Sequence, residues 1–120
     1  MDRSILVVDD EENLLLLLDR ILSKDGFTVE LASNAYQALN LVEQKDFKVA
    51  ILDIKMFPID GLSLLSEIKK RSPSTHVVMI TAYPTTDTRS KCLEIGASTY
   101  LTKPLDIGEL KTVVQNLAAS

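Results

Sequence analysis

The chain has 120 residues, 46% of them hydrophobic and 25% charged, the composition of one globular domain rather than of a disordered chain. Its formal net charge of −4 argues against broad binding to a nucleic-acid phosphate backbone. One cysteine excludes an intramolecular disulfide and a zinc site built mainly of thiolates, and with neither a secretory leader at Met1-Asp2-Arg3-Ser4 nor an apolar run of ~18 residues the expectation is a cytoplasmic protein that enters no membrane.

Short β-branched runs alternate with helix-length segments along the chain. Ser4–Val8 (SILVV) predicts a buried strand, and Glu11–Asp25 a helix that Gly26 stops. Phe27–Ala32 alternates as a strand does, and Asn34–Gln44 predicts a helix capped by Asn34 with Gln37 three residues on. Lys48–Leu52 (KVAIL) is a third strand. Gly61–Arg71 is a third helix, apolar at Leu62, Leu64, Leu65 and Ile68, and Lys69-Lys70-Arg71 complements the helix dipole at its end. Val77–Thr81 (VVMIT) is a fourth strand, followed by a weaker helix over Thr85–Ile95 that ends at Gly96. Thr99–Thr102 is a short fifth strand. Asp106–Leu117 closes the series, with Ile107, Leu110, Val114 and Leu117 on one stripe and Glu109 completing a capping box.

In the first helix, Leu14, Leu17 and Leu18 share a stripe with Ile21 and Leu22 that is expected to face the rest of the domain; Leu15 and Leu16 fall off it. Cys92 reads as a packed residue inside a helix. Asp60-Gly61 reads as a turn and helix cap, and His76, ahead of the fourth strand, as a structural or exposed residue remote from any crevice.

Strict strand–helix alternation implies a parallel sheet with helices on both faces, a doubly wound α/β domain with right-handed crossovers. In such sheets the ligand crevice lies beyond the carboxyl ends of the strands, where strand order reverses. The first strand runs into Asp9-Asp10, the third into Asp53, the fourth ends in Thr81, and Lys103-Pro104 follows the fifth. Two carboxylates at ~4 Å repel by about 4 kcal/mol at an effective dielectric of 20. A hard divalent cation, Mg²⁺ or Mn²⁺, relieves that repulsion and accepts phosphate oxygens as well. Lysine adds a point charge for phosphate, threonine a hydroxyl donor, and an aspartate can be the nucleophile. The set describes phosphoryl transfer. Asp53 stands alone and is assigned as acceptor, Asp10 as direct metal ligand, Asp9 as ligand through water, and the backbone carbonyl of Lys55 as a further ligand.

ILVVDDEE at the start, ILDIKM around Asp53, Asp60-Gly61, ITA at Thr81 and GASTYLTKP up to Pro104 resemble the receiver domain of two-component response regulators over essentially the whole chain. The resemblance implies a flavodoxin-like (βα)₅ fold with strand order 2-1-3-4-5. It implies Mg²⁺-dependent phosphorylation of Asp53 by a phosphohistidine on a sensor kinase or phosphotransfer protein. It further implies that Lys103 contacts the phosphoryl group through a loop with a cis Lys103-Pro104 bond, and that Thr81 and Tyr100 act as coupled switch residues. Lys55 and Tyr83, each two residues past a site residue, would tune hydrolysis of the acyl phosphate. Leu15 and Leu16, on the helix that starts at the acidic pair, would form a donor-docking patch. Asp87, Arg89, Lys91, Glu109 and Lys111 would lie on a face of the fourth helix, fifth strand and fifth helix that can pair in a dimer. One departure is visible: the family usually carries Met-Pro after the acceptor loop, whereas here the run is Met56-Phe57-Pro58, which moves the proline's φ restriction one place on.

On this reading residues 1–120 are one receiver domain. Any output domain lies beyond it, and the only chemistry is the domain's own phosphorylation and dephosphorylation. A stand-alone phosphorelay intermediate or partner-binding switch is the alternative. An aspartyl-nucleophile phosphatase is disfavoured because Lys55 stands where such enzymes want a second acid. A flavodoxin-like carrier is disfavoured because Asp9-Asp10-Glu11-Glu12 would repel an anionic cofactor, and a degenerate receiver because the acids, Thr81 and Lys103 are all present.

Overall fold

Three apolar strands with almost no polar interruption can be stable only if both of their faces are covered, and the structure places them at the centre of the sheet. The structure is a computed structural model that describes residues 3–56 and 59–120. Five strands, β1 (Ser4–Val8), β2 (Thr28–Ala32), β3 (Val49–Asp53), β4 (His76–Thr81) and β5 (Thr99–Thr102), alternate with helices α1 (Glu12–Lys24), α2 (Ala35–Gln44), α3 (Gly61–Arg71), α4 (Thr86–Ile95) and α5 (Ile107–Ala118). All strand pairs are parallel, in the order β2-β1-β3-β4-β5. This is the expected doubly wound, flavodoxin-like topology, and element boundaries differ from the sequence reading by a residue or so.

The period-two pleat splits the core into two layers. Leu6, Val8, Ala50, Leu52, Val77 and Met79 pack with residues of α2, α3 and α4, among them Ala38, Leu65, Ile68 and Cys92. Ile5, Val7, Val49, Ile51, Val78 and Ile80 pack with Leu15, Leu18 and Leu22 of α1 and with Leu110 and Val114 of α5. Cys92 is accordingly buried in the first layer.

The leucine run of α1 has a different phase from the one its sequence suggests. Leu15 is only 6% exposed and joins Leu18 and Leu22 in the core, whereas Leu16 and Leu17 are 55% and 44% exposed. Five consecutive leucines carry no phase of their own. The polar residues Glu12, Asn13, Asp19, Arg20, Ser23 and Lys24 fix it, because at about 100° per residue their common face is centred on Leu16. Leu15 therefore belongs to the core, and Leu17 is the residue displaced to the surface.

The caps follow their residue types. Asn34 accepts from Gln37 N at 2.9 Å, while the Gln37 side chain takes the N–H of Ser33 rather than that of the cap. Asp60 accepts from Ser63 N at 2.9 Å and Asp106 from Glu109 N at 3.0 Å. Gly26 has φ +88°, the left-handed conformation that stops a helix at low cost. Gly61 answers to space instead: a Cβ there would lie 2.1 Å from the carbonyl oxygen of Asp53. With Gly61 N bonded to Ile54 O, that close approach brings the start of α3 against the end of β3. Phe57 and Pro58, the displaced-proline departure, lie outside the described residues.

Candidate functional site

Parallel strands bring every strand's carboxyl end to one edge. There one carboxylate oxygen from each of Asp9, Asp10 and Asp53 lies within 4.8 Å of the other two. Asp9 and Asp53 are buried and Asp10 is exposed. The cis Lys103-Pro104 bond follows β5, and the Lys103 ammonium reaches 3.0 Å from Asp9 Oδ2, 3.1 Å from Glu11 Oε1 and 3.5 Å from Asp53 Oδ2. Residues 9, 53 and 103, far apart in the chain, thus converge as the sequence requires.

Three acids face one ammonium here, and burial sets the proton affinities of Asp9 and Asp53. Burial pushes the Asp9 carboxyl up, partly opposed by the N–H of Glu11 and by Lys103. Burial, with the neighbouring Asp9 charge, pushes Asp53 up to about 6. Burial alone would lower Lys103, but its hydrogen bonds to Asp9 and Glu11 and the charges of Asp9 and Asp53 hold it above the ordinary lysine range.

The donor set fits a hard divalent cation. Every candidate ligand is an oxygen, as Mg²⁺ and Ca²⁺ prefer. Asp9 Oδ1 accepts from Glu11 N at 2.9 Å, whereas the buried Asp9 Oδ2 has the Lys103 ammonium, 3.0 Å away, as its one polar partner among the described residues. A buried carboxylate oxygen in that state stays charged only beside positive charge.

The flanking residues repeat one geometry. Asp53 Oδ1 accepts from Lys55 N at 3.3 Å, and the buried Thr81 Oγ1 accepts from Tyr83 N at 3.0 Å. The Lys55 ammonium then lies 4.7 Å from the Tyr83 ring centroid, a cation–π pair. Tyr100 is half-buried, and its hydroxyl stands 3.3 Å from Thr88 Oγ1 on α4. His76 begins β4 at the opposite edge of the sheet beside Ser98, outside the site as expected.

Leu16 and Leu17 are exposed on α1 and Leu15 is almost wholly in the core; Leu15 and Leu16 line a groove beside Asp10. An open groove of about 530 Å³ runs between α1 and the start of α5, lined by Leu14, Leu17, Leu105 and Ile107 with Glu11 and Lys103 at the acidic end. Two residues escaped sequence reasoning. Glu11 is the N-cap of α1 but makes no side-chain cap bond, which frees it to hold Lys103; a third acid directly after an acidic pair at a strand end was the available signal. Thr88 offered none, since its contact with Tyr100 is purely tertiary.

Comparison with known proteins agrees with this geometry. The family model of the response regulator receiver domain matches residues 5–115. Transcriptional regulatory protein ZraR of Klebsiella oxytoca is 41% identical over 115 residues, covering 96% of this chain and 26% of that protein. The chain thus spans about a quarter of the ZraR relatives it matches. Sporulation initiation phosphotransferase F of Bacillus subtilis (strain 168) is 33% identical over 115 residues, covering 96% of this chain and 93% of that protein. Among solved structures, a response regulator protein from Burkholderia pseudomallei with a phosphorylated aspartic acid, calcium ion and citrate superposes with a TM-score of 0.90 at 29% identity, covering 98% of this chain and 69% of that one.

Proposed function

The chain belongs to the response regulator receiver domain family, and from that premise we propose that Asp53 accepts a phosphoryl group from a phosphohistidine of a sensor kinase or phosphotransfer protein and that the domain changes conformation in response. The observation that carries the reading is the convergence of Lys103 on Asp9 and Asp53, with the Lys103 backbone N–H bonded to Thr81 O. The donor's P–N bond breaks as the P–O bond to an Asp53 oxygen forms, and the leaving imidazole retains the bonding pair and is protonated. Asp53 must be a carboxylate to attack, and with its pKa at about 6 it is mostly ionised at neutral pH while remaining basic for an aspartate.

Asp9, Asp10, Asp53 and the backbone carbonyl of Lys55 would hold Mg²⁺ (or Mn²⁺). When bound, that ion neutralises the acids and orients the incoming phosphoryl oxygens. Lys103 is already in place as a fixed charge for the phosphoryl group, a preorganised stabilisation that needs no rearrangement. The Thr81 hydroxyl, accepting from Tyr83 N, keeps its own proton to donate to a phosphoryl oxygen. Drawing Thr81 inward vacates space that Tyr100 fills, and the face of α4, β5 and α5 changes with it, as a shift between two existing states.

The groove beside Lys103, rimmed by Leu14, Leu17, Leu105 and Ile107 with Leu16 exposed on the same helix, is the docking surface we assign to the donor helix. The Lys55–Tyr83 pair shields the acyl phosphate from water. Asp87, Arg89, Lys91, Glu109 and Lys111 form the surface for a phosphorylation-dependent dimer. The site catalyses only its own phosphorylation and dephosphorylation, in the cytoplasm, and an output domain or separate partner reads the result. No helix among the described residues is long and apolar enough to cross a membrane. Incubation with acetyl phosphate and Mg²⁺ tests the central step by intact mass: the wild type gains one phosphoryl group and Asp53→Asn gains none. A wild type that gains no mass, even from a phosphorylated kinase, overturns the reading.

A further inference from the structure

Tyr100, on β5, is met by a residue of the neighbouring helix α4. Its hydroxyl meets Thr88 Oγ1 at 3.3 Å, and Thr88 is also the third residue of α4, locked into that helix's N-terminal capping box. Thr85 Oγ1 accepts from Thr88 N at 3.0 Å, and Thr88 Oγ1 accepts from Thr85 N at 3.2 Å. The Thr88 hydroxyl also lies 3.1 Å from Thr85 O and 2.6 Å from Thr85 Oγ1.

We infer that Thr88 is a positioning residue for Tyr100, a latch that holds the phenol outward against α4 and ties its rotamer to the first turn of that helix. The inference rests on the reading of Tyr100 as the partner of Thr81. A hydroxyl has one proton and two lone pairs. With the Thr88 proton on Thr85 O, three groups compete for its two lone pairs: Thr85 N–H, Thr85 O–H and Tyr100 O–H. The Tyr100 bond is therefore contested. When the phenol turns inward, the Thr85 hydroxyl takes the vacated lone pair, so the latch releases without stranding a polar group.

The helix it acts on is suited to report the event. Among the residues of α4 only Cys92 is buried, so the apolar contacts that fix the other helices are sparse here. Its first turn depends on the cap more than theirs do. Loss of the Tyr100 bond leaves Thr88 wholly within the cap, and the first turn of α4 changes its hydrogen bonding each time Tyr100 moves.

The test uses the 120-residue protein with ring-¹³C tyrosine, observed by NMR with and without acetyl phosphate and Mg²⁺. In the unphosphorylated state Thr88→Val is expected to move the Tyr100 ring signal toward its position in the phosphorylated wild type. That corresponds to a change of about 2- to 10-fold in the outward–inward equilibrium, the range one net hydrogen bond carries. Thr88→Ser, which retains the hydroxyl, is expected to match the wild type. A Thr88→Val signal that stays put while the wild-type signal moves on phosphorylation overturns the latch and leaves the switch reading standing; so does a serine variant that behaves as the valine one. A wild-type Tyr100 signal that does not move although the protein gains its phosphoryl group overturns both. Tyr100→Phe covers the case in which losing the cap unfolds Thr88→Val, because it deletes the phenol and keeps the cap. Its Thr86, Asp87 and Thr88 amide signals should shift toward their phosphorylated wild-type positions, and amides that do not move overturn the inference.

Discussion

The two edges of the sheet hold their charged groups in opposite states of satisfaction. At the amino edge cations and hydroxyls find backbone carbonyls, and an acid beside them, Asp25, is paired with Lys111 and Gln115. Arg3 donates to Asp25 O and Gly26 O, Lys69 to Pro73 O and Thr75 O, Lys48 to Ser120 O, and the buried Thr75 hydroxyl to Phe47 O at 2.7 Å. At the carboxyl edge, Asp9, Glu11 and Asp53 crowd around one lysine, with Asp10 adding a further carboxylate beside Asp9 and Asp53, and among the described residues the buried Oδ2 of Asp9 has that ammonium as its one polar partner. One edge lets the chain stop and turn with its polar groups paired. The other keeps an unmet demand for positive charge, which is stability set aside for binding and chemistry.

Substitution at the two edges should separate function from stability. Asp53→Asn is expected to abolish phosphoryl uptake in an intact-mass assay. In urea unfolding without divalent ions at neutral pH, it should also raise stability by about 1–3 kcal/mol, because the buried charge disappears. Thr75→Val, at the other edge, should do the reverse. It leaves Phe47 O without its donor and lowers stability by about 1–3 kcal/mol, while phosphorylation by acetyl phosphate proceeds at the wild-type rate.

The same contrast has a pH signature. The Asp53 pKa rises from 3.8 to about 6 on folding, so the folded state holds this proton more tightly than the unfolded chain does. The contribution is therefore stabilising below pH ~4 and is lost as pH rises through about 6. The stability difference, wild type minus Asp53→Asn, measured without divalent ions by urea unfolding, should fall by about 1–3 kcal/mol across that window and level off above it. Saturating Mg²⁺ should recover part of the loss above pH 6, since it binds the folded state. The smallest effect belongs to the rim: Leu17→Ser should leave stability within ~0.5 kcal/mol and slow transfer from a phosphorylated kinase by about fivefold, with acetyl phosphate reactivity unchanged.

How much of this was legible in the sequence depends on whether a local pattern or a tertiary contact carries it. Continuous apolar strands next to helix-length segments gave the sheet, and the residues at or just past the ends of β1, β3, β4 and β5 gave the candidate site, because parallel topology sends all carboxyl ends to one edge. Asp9, Asp10, Asp53, Thr81 and Lys103 were readable for that reason. The Leu14–Leu18 run was misread because identical residues carry no phase, and the polar residues that set it are spread over three turns. Glu11 was read as the first residue of a helix, although an N-cap that does not cap is free to face the crevice. The Thr88–Tyr100 contact joins α4 to β5, and no local periodicity encodes it.

Trapping the acyl phosphate by borohydride reduction tests the central claim most directly. The protein is exposed to acetyl phosphate and Mg²⁺, reduced, digested and sequenced by mass spectrometry. Homoserine at position 53, and at no other aspartate, is the predicted result. Homoserine at Asp9 or Asp10, or a chain with none although the donor was consumed, would contradict the assignment of the carboxyl edge as a phosphoryl-accepting site centred on Asp53.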